Sequence, residues 1–86
     1  MLQDYLIWYR ETDKSHDVVV AVSRTYDSAR DVALQLQFQL KVFKGIEPYQ
    51  IGVTRIEVNQ IQEERSSVDF PTRWVVFENG IEIPEE

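Results

Sequence analysis

An α+β fold is predicted, with a single helix packed on a four- to five-stranded sheet in the order ββαββ and a short final strand. Three observations predict it. Val and Ile together number 18 against 8 for Ala and Leu, a balance that suits pleated strands. One stretch between Thr25 and Gly45 has helical periodicity and neither Gly nor Pro inside it. Asn79-Gly80, set between apolar runs, carries the chemistry of a two-residue hairpin turn. A chain of 86 residues has room for one core, so 1–86 is read as one domain.

The first strand is Asp4–Arg10, the second Val18–Val22, and the polar stretch Glu11–Asp17 between them makes an antiparallel hairpin. The helix follows. Thr25, Asp27 and Ser28 are N-cap residue types, and Ser28 with Asp31 has capping-box spacing. Lys41 and Lys44 suit the negative end of the dipole, and Gly45 is the expected left-handed stop. Ala29, Val32, Ala33, Leu36, Leu40 and Phe43 form the stripe that docks on the sheet.

After Pro48 the period returns to two. Gln50–Gln62 is read as a half-exposed strand, with Thr54, Ile56 and Val58 on one face and a bulge marked by Gly52. Ser66–Pro71 is a loop. Arg73–Glu78 is a strand paired through Asn79-Gly80 with Ile81–Ile83. Tyr5–Tyr9 and Trp74–Phe77 are apolar on both faces, which places the first and fourth strands together at the sheet centre. That arrangement, with this element order, resembles β-grasp domains, and Lys44–Gln50 is similar to the helix exit of ubiquitin-like proteins. The terminal Ile83-Pro84-Glu85-Glu86 lacks the diglycine of a conjugated modifier, so the resemblance implies topology and no function.

Composition excludes several kinds of chemistry. With no cysteine there is no disulfide framework, thiolate nucleophile or cysteine-bound metal. A net charge of −6 argues against a nucleic-acid partner. Arg30, Gln37, Lys41 and Lys44 share one helix flank, but such a flank also serves as a solvated side that complements the dipole. No apolar run is long enough to span a membrane, and Met1-Leu2-Gln3-Asp4 has no basic leader, so the expected compartment is the cytoplasm.

His16, between Asp13 and Asp17, is the one candidate general base or metal ligand, and a polar turn explains the same residues. Glu63-Glu64 and Glu85-Glu86 point to opposite faces if extended, and Ser66-Ser67 has no second histidine to activate it. No catalytic residue, metal site or cofactor is assigned, and the chain is read as a non-enzyme.

Surplus apolar surface is the remaining signal. Leu34, Phe38 and Val42 make a second helical stripe about half a turn from the first. Two-faced strands set Leu6, Trp8, Val75 and Phe77 opposite Tyr5, Ile7, Trp74 and Val76, while one helix covers one face. Exposed apolar patches mark association sites. Leu34, Phe38, Val42, Trp8 and Phe77 are therefore the predicted interface, unless curled strands or the 60–73 segment cover it. The function expected is non-catalytic protein–protein interaction, as a homo-dimer or with a protein partner. One form of it is a phage- or mobile-element-type inhibitor of a larger host complex, by analogy of size and charge. The alternative is a small-molecule-binding regulatory domain with an aromatic pocket built from Tyr9, Tyr26, Tyr49 or Trp74.

Overall fold

The computed structural model describes residues 2–58 and 72–84. The elements are β1 (Leu2–Arg10), β2 (Val18–Ser23), α1 (Tyr26–Lys44), β3 (Gln50–Val58), β4 (Thr72–Glu78) and β5 (Ile81–Glu82). All strand pairs are antiparallel, and the sheet order is β2-β1-β3-β4-β5. This is the α+β architecture expected, with one helix on a five-stranded sheet. The expected loop Ser66–Pro71 and the end of the long strand at 59–62 lie outside the described residues.

Strand order departs from the β-grasp arrangement. β3, not β4, lies beside β1, in register from Leu2↔Val58 to Arg10↔Gln50. The centre of the sheet is thus the strand that looks half-exposed in sequence. Its open face carries Gly52, and the Trp8 indole from β1 fills the space where a Gly52 side chain would stand.

Two β-bulges change which faces the side chains take. Ile7 pairs with Ala21 and Trp8 with Val19, leaving Val20 as the extra residue in β2. Ile51 pairs with Phe77 and Gly52 with Val75, leaving Val76 as the extra residue in β4. Gly52 does sit at a bulge, but the inserted residue is on the neighbouring strand. Because of it, Val76 and Phe77 both join the helix-side core, and Phe77 is not on the face of Val75 as simple alternation predicts.

The helix begins at Thr25 rather than Ser28. Thr25 has extended backbone, and its hydroxyl accepts from the Ser28 amide at 3.1 Å. Gly45 ends the helix at φ 65°, where its amide donates to the Lys41 carbonyl at 3.2 Å. The Ile46 amide then donates to the Leu40 carbonyl at 3.0 Å and draws Ile46 against the core. Ala29, Ala33, Leu36 and Leu40 pack on Ile7, Ile51, Val53, Val76 and Phe77. Phe43 does not belong to this core. It is 76% exposed, because Leu40 is the last helical side chain over the sheet and Ile46 closes that end.

Asn79 (φ 55°) and Gly80 (φ 81°) form the primed turn, and β4 pairs with β5 through Phe77↔Glu82 and Glu78↔Ile81. The Arg30 guanidinium fastens this short strand to the helix, donating to Glu82 Oε2 at 3.2 Å and to the Ile83 carbonyl at 3.1 Å.

Candidate interaction site

Eight large apolar side chains are exposed among the described residues: Val18, Val19, Val20 and Val22 in β2, Phe38, Val42 and Phe43 in α1, and Ile81. β2 is an edge strand, so one side of its backbone has no strand partner among the described residues. Its sequence Val-Val-Val-Ala-Val-Ser contains no charge and no proline, the usual protections of an edge. Phe38 and Val42 make a stripe on the side of α1 away from the sheet, with Phe38 65% exposed, while Phe43 continues the sheet-facing line beyond Leu40.

Of the five predicted interface residues, Phe38 and Val42 lie on these surfaces. Leu34 is half-buried against the core. Trp8 and Phe77 are buried within the chain, Phe77 reaching the surface only where it lines a cleft beside Tyr49. Phe77 is turned to the helix by the Val76 bulge. Trp8 lies on the open sheet face, but the Arg73 guanidinium covers its ring, with Cζ 3.8 Å from the centroid. The valines of β2 were the residues missed. Their signal was an apolar run with no alternation of polar residues, which marks a buried strand as readily as an exposed edge.

A charge array holds Arg73 over Trp8. Asp17 accepts from Arg73 at 2.8 and 3.4 Å, and Arg10 Nε lies 3.1 Å from Asp17 Oδ1 as an ion pair without hydrogen-bond alignment. The hydrogen bond from Arg73 holds the Asp17 carboxyl below its ordinary value of 3.8, and the charges of Arg73, Arg10 and His16 add to that, against the opposing effect of burial. Asp17 is therefore engaged by arginines, and His16 is exposed beside it. Groups of three His, Cys, Asp or Glu able to hold a metal do not occur among the described residues. Arg30, on the basic helix flank, is committed to Glu82, Ile83 and the Tyr26 hydroxyl rather than free for phosphate.

Of the residues named for an aromatic pocket, Tyr9, Tyr26 and Trp74 are partly buried against the core and Tyr49 lines a cleft. Tyr26 and Trp74 meet at 4.7 Å with their rings inclined at 51°, and Tyr5 packs against both, at the start of the helix. Tyr49 lies at the other end of α1 and lines a cleft of about 660 Å³ with Ile46, Ile51, Phe77, Lys41 and Glu47. Its lining is mixed, with Pro48 beside those apolar side chains and Glu11 and Asp13 of the first hairpin loop among the polar ones. The Tyr49 amide donates to the Arg10 carbonyl at 2.8 Å, which ties the cleft to the end of β1.

No protein-family model, curated protein or solved structure matches the chain. No helix among the described residues is long and apolar enough to cross a membrane.

Proposed function

We propose that this chain is a non-catalytic protein-interaction domain. The observation that carries the proposal is the exposure of six large apolar side chains on two surfaces, Val18, Val19, Val20 and Val22 of the β2 edge and Phe38 and Val42 of the outer stripe of α1. Leaving such surface in water forgoes burial worth roughly 1.5–3 kcal/mol for each fully covered Val or Phe, which a protein partner restores. Assignment to the cytoplasm, and to inhibition of a larger assembly as one form of the role, belongs to the same proposal. It is supported by the acidic, cysteine-free composition.

The test uses the tagged chain as bait in extract of its source cell, beside a Val19→Lys/Phe38→Asp bait, with light scattering of both. A partner, or a second copy, that binds the first bait and not the second supports the role. Equal recovery on both baits together with a monomeric chain overturns it.

A second reading rests on the Tyr49 cleft, whose volume is that of a small-molecule site and whose lining combines Tyr49, Ile51 and Phe77 with charged side chains. Native mass spectrometry of the purified chain would then show a bound species that is lost in Tyr49→Ala.

A further inference from the structure

We propose that β2 pairs antiparallel with β2 of a second copy, joining the two sheets edge to edge about a two-fold axis that passes between Val20 and Ala21. The proposal rests on the interaction role above and names its partner. Among the described residues, the two outer strands of the sheet differ as templates for pairing. β5 has two residues and Pro84 shortly after it, whereas β2 offers six residues without charge or proline.

The register follows from the bulge. Cross-strand partners share a face, so Val18 (with Tyr9), Ala21 (with Ile7) and Ser23 (with Tyr5) point to the helix side. Val19 (with Trp8) and Val22 (with Leu6) point to the open side. Val19 and Val22 are three apart and would face opposite ways in a regular strand. They share a face because Val20 is inserted between them. A two-fold axis normal to the sheet preserves faces, so paired residues must point the same way on their own strand. Centred at 20/21, the pairs are Val19 with Val22, Val18 with Ser23, and Asp17 with Arg24. Each of these three pairs obeys that condition, the bulge residues Val20 and Ala21 stand at the axis itself, and an unbulged strand would forbid this register.

The outer pair supplies complementary charge. Asp17 and Arg24 both continue onto the open face, where Asp17 meets Arg10 and Arg73 and Arg24 meets Asp4. Arg24 is held loosely, 3.6 Å from Asp4 with its side chain 77% exposed, and the Asp17 side chain keeps 32% exposure. In the dimer each Asp17 faces the second copy's Arg24. Between these ion pairs, Val19 and Val22 of both copies form one apolar row.

The native sequence has no cysteine, so engineered thiols report the register directly. The expected wild-type mass in light scattering at micromolar concentration is twice the 10.2 kDa of one chain. Val19→Cys mixed with Val22→Cys should oxidise to a covalent dimer, while each variant alone does not. Arg24→Glu should raise the dissociation constant about tenfold, and Arg24→Lys should leave it within about twofold. A chain that stays monomeric overturns self-pairing, and bait experiments still decide the broader interaction role. A dimer lost in Phe38→Asp but giving no mixed cross-link also overturns it and moves the contact to the helix.

Discussion

The Trp8 indole occupies the space above Gly52 on the neighbouring strand, so that a Cβ at Gly52 would collide with Trp8 Cζ2 and with the Trp74 carbonyl oxygen. It would also stand 2.7 Å from Trp8 Cε2. The indole is held from above by Arg73 and the carbonyl belongs to a paired strand, so neither yields cheaply. Gly52→Ala should destabilise the fold by about 3 kcal/mol, at the upper end of overpacking costs. Urea unfolding measures it, and an unchanged midpoint would refute this packing.

Acid should find the Asp17 array before it finds the core. The folded state lowers the Asp17 carboxyl, so the unfolded chain binds that proton more readily. The stabilisation is complete above the ordinary value of 3.8 and is lost as pH falls through the lower folded value. Stability followed by urea titration should fall in that window, and Asp17→Asn should remove this part of the fall. If both chains trace parallel curves below the ordinary value, Asp17 is not linked to folding.

Local chemistry explains which parts of the fold were legible in the sequence. The Gly45 stop and the Asn79-Gly80 turn were, because each is set by a few adjacent residues. Strand order was not. β3 looks half-exposed because its open-face position is Gly52, and the side chain that fills that place, Trp8, is contributed by another strand. Phe77 was assigned to the wrong face because one inserted residue, Val76, reverses the alternation beyond it. The β2 valines carry no polar alternation, so the sequence does not tell an exposed edge from a buried strand there. Phe43 fits the helical stripe, but the periodicity carries no record of where the sheet beneath the helix ends.

Buried and exposed helix positions should separate cleanly on truncation. Leu36→Ala and Leu40→Ala should each cost about 2–5 kcal/mol, the range for buried leucines. Phe38→Ala and Phe43→Ala should change the stability of the isolated chain by no more than about 0.5 kcal/mol. Leu34→Ala, at a half-buried position, should fall between. Thermal denaturation of the five variants at dilute concentration gives the ranking, and a Phe43→Ala cost equal to that of Leu40→Ala would return Phe43 to the core.

Gly80 tests a different use of glycine from Gly52. The nearest atom to a Cβ at Gly80 is Gln37 Nε2 at 3.9 Å, so space is available, but φ is +81°. An L-residue there strains its backbone without losing a contact, and a β-branched one strains it most. Gly80→Val should therefore destabilise by about 1–2 kcal/mol or more. Asn79→Gly should be neutral within about 0.5 kcal/mol, since both residues accept a positive φ. The backbone cause can be isolated by chemical synthesis. D-alanine at position 80 has the same added methyl but prefers positive φ, so it should match or exceed the wild-type melting temperature. If D-alanine and L-alanine lower it equally, contact rather than conformation sets the cost. If Gly80→Val leaves it unchanged, the Phe77↔Glu82 and Glu78↔Ile81 pairing contributes nothing to stability. Arg30, through Glu82 and Ile83, would then be the tether that holds this end of the chain to the helix.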